Sequence, residues 1–410
     1  MRIVDVEAIA ISAPNPAGTY WGKATWGGGG ADREPLAHWR PLRFPHPGRM
    51  RPSYAHGFET TLVRIETDTG LVGWGEAKAP VAPRVAKAIV DDLLRDLLLD
   101  ADPRRVEPLW ETLYASMRLR GHHSGFLLEA ISGVDIALWD LAGKAVGAPI
   151  HQLLGGAYRD RIPVYASGVP ATLDAPGAPD HERMLAVAAG ARERGFHGLK
   201  MAIGLDPLAD VASVAAVRAH LGDGFELFAD AAGNYDVDTA VRVGRELERL
   251  GVGFFEAPLP HEFIDGYAEV ARALAIPLAN DVITQRYQVL DYLKRGALQV
   301  VQPDVCRAGG ITELRRIGVL ADAFGVACTP HVSIGSAIHF VASFHVAAAL
   351  PNLVRHEFWF GENPLGDAIL RRPALRLADG AVAVPDAPGL GIEVDEAKVR
   401  ALALPAGVRA

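Results

Sequence analysis

The chain has 410 residues, half of them hydrophobic and 22% charged, with a formal net charge of −8 and a pI near 6.0. That balance leaves no basic footprint for nucleic acid, and no apolar run reaches the roughly 18 residues a membrane span needs. Two cysteines, Cys306 and Cys328, are too few for a disulfide framework and lack the spacing of a thiolate metal site, so a cytoplasmic protein is expected.

The opening "MRIVDVEAIAISAP" alternates apolar and polar residues like a strand and lacks the basic start of a secretory signal. Residues 14–54 are rich in Gly, Pro, Trp and His, including "YWGKATWGGGG". That composition reads either as an unstructured loop or as a lid whose glycine run lets Trp21, Lys23 and Trp26 close over a pocket. Lys23, Tyr54 and His56 are the polar candidates there for binding substrate hydroxyls, beside Trp21. Next, "TTLVRIETDTGLVGWGEA" reads as a hairpin, while "PRVAKAIVDDLLRDLLL" and "RVEPLWETLYASM" have helical periodicity. Residues 1–130 are therefore expected to form an α+β capping domain.

From Arg161 onward a strand-then-helix beat repeats about eight times, the signature of a parallel barrel with helices outside; an open doubly wound sheet is the competitor. A barrel is favoured because each apolar run ends in an ionisable residue: Lys200, Asp230, Glu256, Asp281, Asp304, His331, Glu357. Their near-even spacing is close to the roughly 30 residues per unit of a 250-residue barrel, as if one such group stood at each strand end around a mouth. The barrel is expected over 131–366. The closing "GAVAVPDAPGLGIEVDEAKVRALAL" reads as short strands, with 367–410 returning to the cap.

Asp230, Glu256 and Asp281 follow three consecutive strands, and carboxylates that close repel unless a cation lies between them. Three oxygen ligands suit Mg²⁺, one per site, better than zinc, since no histidine or cysteine lies among the three. Asp304 and His331 follow adjacent strands further on. A carboxylate on one ring nitrogen fixes the tautomer and leaves the other nitrogen free as a general base. His339 and His345, in "AIHFVASFHVAAAL", read as helix packing residues; His122 and His123 carry no assignment. The "GG" at 309–310 reads either as a phosphate-binding turn or as plain turn geometry.

These residues, with "ISGVDIALWDLAGKAVGAPIHQLLGG", "QPDVCRAGGITE" and "VPDAPGLGIEV", resemble the mandelate racemase and muconate lactonizing branch of the enolase superfamily. The resemblance spans the whole chain. It implies an α/β fold, a modified TIM barrel of (β/α)7β type, capped by an α+β domain built from the N-terminal region and the C-terminal segment. It also implies abstraction of the proton α to a carboxylate by a His or Lys base, with Mg²⁺ stabilising the enediolate. Lys200 would add positive charge near that enolate, and Glu357 would donate to the other carboxylate oxygen if it is held protonated. Similar members form symmetric homo-oligomers, which is the expectation here.

Racemase-like members carry Lys-x-Lys on the second strand, whereas this chain has Ala202 at the second position. One base remains, which favours elimination over two-base racemisation. Val282 stands where racemase-like members place the third ligand, so Asp281 takes that role, and Ala232 replaces a frequent asparagine. The expected activity is a hydro-lyase acting on a small carboxylate, an aldonate or aldarate. The alternatives are a cycloisomerase or one-base epimerase acting on a lactone or amino-acid derivative, and a degenerate barrel that binds a carboxylate without turnover.

Overall fold

The computed structural model describes residues 1–14, 57–80, 82–169, 173–175, 178–179, 181–204, 206–361 and 363–405. The N-terminal unit is built on an antiparallel sheet, β1 (Ile3–Pro14), β2 (Gly57–Thr67) and β3 (Val72–Ala77), in that spatial order. The hairpin between β2 and β3 closes where Gly70 adopts φ 79°, a left-handed conformation glycine takes without penalty. Helices α1 (Pro83–Ile89), α2 (Val106–Ser116) and α3 (Phe126–Val146) complete the unit. α3 lies so close to β3 that a Cβ on Gly75 would come within 1.9 Å of the Gly133 carbonyl oxygen. That contact explains the glycines of "VGWGEA".

From Ala130 to Gly143 α3 is buried on all sides, as befits a helix held between two layers. On its barrel side Asp135 accepts from Thr312 N at 3.0 Å and Trp139 Nε1 donates to Thr312 Oγ1 at 2.9 Å. The expected division at 130/131 lies within this helix.

Eight parallel strands follow: β4 (Arg161–Val169), β5 (Gly198–Ala202), β6 (Glu226–Asp230), β7 (Phe255–Glu256), β8 (Leu278–Asn280), β9 (Val300–Val301), β10 (Ala327–Cys328) and β11 (His356–Trp359). Each of β4 to β9 pairs with the next, an isolated bridge joins Cys328 of β10 to Leu353 ahead of β11, and β11 pairs back onto β4. That last pairing closes the barrel and removes the open-sheet alternative. Seven outer helices, α4 (His181–Glu193), α5 (Pro207–Leu221), α6 (Val237–Arg249), α7 (Ile264–Ala273), α8 (Arg286–Lys294), α9 (Gly310–Ala323) and α10 (Ala337–Ala348), separate the strands, giving (β/α)7β. Several starts are written locally: Asp206, Asp236 and Ser336 each cap a helix through side-chain oxygens on backbone amides.

Inside the barrel, Tyr165, Phe228, Phe254, Ala279 and Val300 form a packed floor, with the Phe228 and Phe254 rings stacked at 4.3 Å. Phe228, Phe254 and Ala279 lie two residues before Asp230, Glu256 and Asp281. Because side chains alternate along a strand, an apolar layer sits beneath the ionisable one.

The C-terminal segment returns as expected. Ala381–Ala383 pairs antiparallel with β4, and further on Leu404 N donates to Ala10 O at 2.8 Å and Ser12 N to Leu402 O at 2.9 Å, so the chain end docks on β1.

Candidate active site

Of the seven ionisable residues expected at the mouth, Asp230 and Glu256 end their strands, Asp281, Asp304 and His331 lie one to three residues past theirs, and Lys200 and Glu357 lie two residues before the last residue of theirs. Strand register sets Asp230 opposite Ala202 and Glu256 opposite Asp230, while Asp281 follows β8 directly. Asp304 and His331 pair across a parallel bridge, and Glu357 on β11 faces Tyr165 on β4.

One side of the mouth is organised by Lys200. Its Nζ lies 2.8 Å from both Glu256 oxygens, 2.8 Å from Glu357 Oε1 and 3.9 Å from Asp230 Oδ2. Gln302 Nε2 also donates to Glu256 Oε2 at 2.7 Å. Burial raises the Asp230 carboxyl to about 7 despite Lys200, with Asp281's charge adding to the rise. Burial likewise lifts Glu256 well above the usual carboxylate range, assisted by repulsion from Asp230 and Asp281. Asp281 repels both, while its own carboxyl, which burial would raise, is held below its ordinary value by His331, Arg307 and Lys200.

Glu357 differs from its sequence-based expectation. Burial would raise it, but Lys200 and His331 outweigh that and hold it below its ordinary value. It accepts from Lys200, from Ser167 Oγ and, at 3.2 Å, from Val332 N, so in this structure it is an anionic acceptor and not a protonated donor.

The other side centres on Asp304. His331 Nδ1 lies 2.8 Å from Asp304 Oδ2, and Nε2 faces the mouth, 3.6 Å from Asp281 Oδ2 and 3.8 Å from Glu357 Oε2. Burial works against the Asp304 anion, yet His339, Lys78 and His331 together hold its carboxyl well below the ordinary range.

A metal fit follows from the donor set. Asp230, Glu256 and Asp281 present only oxygens and carry more negative charge than the ammonium of Lys200 and the guanidinium of Arg307 balance, which suits a hard divalent cation. Among the described residues, the three potential ligands whose atoms come within 4.8 Å of one another are instead Asp304, Cys306 and His339. That set is a poor cation site: the Lys78 ammonium lies 3.2 Å from Asp304, and burial keeps the Cys306 thiol protonated.

Sequence reasoning missed several neighbours. His339 is buried in α10 as expected, but its Nε2 lies 3.0 Å from Asp304 Oδ1. Arg307, three residues past Asp304, lies 3.7 Å from Asp281 Oδ2 and 3.8 Å from Glu129 Oε1. Ser167, two residues past the inward-facing Tyr165, was findable by the period-2 rule; Lys78, far away in sequence, was not. The glycine pair at 309–310 is turn geometry, with φ 102° and 89°. The helix start it introduces is already filled by the Asp135 carboxylate, which leaves no room for the phosphate reading. Trp21, Lys23, Trp26, Tyr54 and His56 lie outside the described residues.

Two family profiles match the chain: "Mandelate racemase / muconate lactonizing enzyme, N-terminal domain" over residues 40–155 and "Enolase C-terminal domain-like" over 183–398. The chain belongs to the mandelate racemase/muconate lactonizing enzyme family of the enolase superfamily. Among its relatives, the D-galactarolactone cycloisomerase of Agrobacterium fabrum is 38% identical over 343 residues, 82% of this chain and 88% of that protein. The arabinonate dehydratase of Saccharolobus solfataricus is 34% identical, over 83% of this chain and 89% of its own. A racemase from Streptomyces coelicolor A3(2), whose crystal structure is described with bound magnesium, superposes with a TM-score of 0.81 at 28% identity, covering 98% of this chain and 100% of that one. Both dehydratases and cycloisomerases of sugar acids thus stand among this family member's relatives. No described helix is long and apolar enough to cross a membrane.

Proposed function

We propose that the protein is a Mg²⁺-dependent acid-sugar dehydratase. The observation that carries this reading is the single Asp304–His331 pair, with Nδ1 fixed at 2.8 Å and Nε2 free in the mouth, in a barrel whose second-base position is Ala202. Asp230, Glu256 and Asp281 are the residues that would hold the magnesium ion. When bound, it would supply positive charge to the substrate carboxylate as the α-carbon is deprotonated.

His331 Nε2 takes the α-proton, and Asp304 holds the ring in the tautomer with its proton on Nδ1 and stabilises the imidazolium. Lys200 places a second positive charge beside the carboxylate oxygens on which negative charge grows. Glu357, anchored by Ser167 and Val332 N, orients Lys200. The C–O bond at the β-carbon then breaks; the hydroxide leaves with the proton returned by His331, and the enol tautomerises to a 2-keto-3-deoxy acid.

A panel of aldonic and aldaric acids assayed for 2-keto acid tests the reading. Turnover by the wild type and its loss in His331→Asn are expected. Absence of turnover across the panel, or full activity in that variant, would refute it.

The cycloisomerase relative favours a second reading on the same residues: the departing group is the ring oxygen of a sugar-acid lactone. Consumption of a lactone without 2-keto acid formation from the open-chain acids would select it.

A further inference from the structure

The mechanism gives no part to two ionisable side chains that the cap inserts beside the barrel mouth. Glu76, in β3, and Lys78, just past it, stand two residues apart and so emerge on the same side of the chain. Glu76 is fully buried and accepts from Ser336 N and Oγ, from His339 N and from Thr60 Oγ1, which caps α10, the helix that carries His339. Lys78 is 4% exposed. Its backbone N–H donates to Cys306 O at 3.2 Å, its Nζ lies 3.2 Å from Asp304 Oδ2, and Nζ also meets Ser333 Oγ.

Lys78 therefore shares with His331 Nδ1 the one oxygen, Oδ2, by which Asp304 holds the imidazole. The other oxygen, Oδ1, receives Cys306 N at 2.8 Å and faces His339 Nε2 at 3.0 Å. A carboxylate has about four acceptor directions; three are taken by hydrogen bonds from Lys78, His331 and Cys306, and His339 Nε2 crowds the fourth without a hydrogen bond. It cannot turn without breaking a contact. Cap docking alone does not explain a lysine here: the flanking Ala77 and Ala79 are fully buried, and replacing a buried ion pair by apolar packing is often neutral or stabilising.

We infer that Lys78 is a positioning residue for the general base, supplied by the cap: it fixes Asp304 Oδ2 against His331 Nδ1 and thereby keeps Nε2 directed into the mouth. The inference rests on the role proposed above for His331. It makes the cap strand part of the chemistry on the base side of the mouth, independently of any lid.

The test is a double-mutant cycle combined with a readout that needs no substrate. Lys78→Met is expected to lower kcat about 10- to 100-fold while leaving KM and Mg²⁺ affinity within about twofold. In an Asp304→Asn background the same substitution is expected to cost less than about twofold, because its effect passes through Asp304. Ser333→Ala, a milder change, should move kcat less in the same direction. In ¹⁵N-histidine-labelled protein, His331 is expected as one tautomer, protonated on Nδ1, in the wild type and as a mixture in Lys78→Met. Equal costs of Lys78→Met in the two backgrounds, or an unaltered His331 tautomer, would overturn the inference. If the wild type turns over no sugar acid, or His331→Asn remains active, the base assignment falls instead, and the tautomer comparison alone decides the role of Lys78.

Discussion

Asp230 and Asp304 are both buried aspartates in the same barrel mouth, three strands apart, yet their environments drive them in opposite directions. Asp230 is raised to about 7, whereas Asp304 is held well below the ordinary carboxylate range. Burial penalises both anions, so partners make the difference. Asp304 has Lys78, His331 and His339 around it; Asp230 has one distant ammonium, at 3.9 Å, and the repulsion of Asp281. One half of the mouth carries its own counter-charges, and the other is short of one. A divalent cation fits the half that is short.

The largest way to break that comparison is to remove the base. His331→Asn and Asp304→Asn should each lower turnover by about 10²- to 10⁴-fold while Mg²⁺ binding, followed by calorimetry, stays intact. Glu256→Gln should do the reverse at the binding step, abolishing measurable Mg²⁺ affinity. Equal loss of Mg²⁺ binding in all three variants would mean that the two halves are not separate.

pH sharpens the contrast next. With Asp230 protonated below about 7, a cation must displace that proton, so Mg²⁺ affinity should fall up to about tenfold per unit as pH drops from 7 to 6. Titrations in buffers of different ionisation enthalpy should register a proton released on binding. In the metal-free protein the sign for stability is also set: an acid whose folded pKa is raised costs stability as pH rises from its unfolded value towards 7.

A smaller effect lies outside the mouth. His151 Nδ1 and His345 Nδ1 are 3.2 Å apart, and His345 Nε2 donates to Leu390 O at 3.1 Å, which leaves His345 Nδ1 as an acceptor with no space for a second proton. Burial lowers His345 to about 4. Since the unfolded chain takes up that proton near 6.5, folding stability should decline as pH falls from about 6.5 to 4, by up to about 1.4 kcal/mol per unit for one proton. His356, also lowered to about 4, adds to the same slope, so His345→Asn should flatten the pH dependence of the urea midpoint only in part.

The smallest expected change is a gain. Ala202→Lys restores an amine on the face opposite Asp230 and should introduce slow exchange of the substrate α-proton with solvent deuterium, detectable by NMR, without raising dehydration. No exchange above the wild-type rate would show that the backbone there does not aim a lysine at the α-carbon.

The strand ends from Lys200 to Glu357 were legible because a barrel strand is local: an apolar run that stops at an ionisable residue, repeated at near-constant spacing, is written in consecutive letters. The packed floor obeys the same local rule, since Phe228 and Phe254 precede their acids by two. The charge state of Glu357 was out of reach of the sequence because it depends on Lys200, more than 150 residues earlier in the chain. His339 was rightly placed on a buried helix, but helical periodicity says nothing about which polar atom meets it.

Sequence alone thus determined the alternating strand–helix architecture, the acids following successive strands and the pairing of Asp304 with His331, because each follows from alternation along a strand and from the order of strands, while closure was settled by the pairing of β11 with β4. Only the tertiary structure decided how Lys200 divides itself between Glu256 and Glu357, and that a lysine from the cap strand occupies the second lone pair of Asp304 Oδ2. Charges at 3 Å in a buried mouth interact strongly whatever their separation along the chain, and that proximity exists only once the cap has docked.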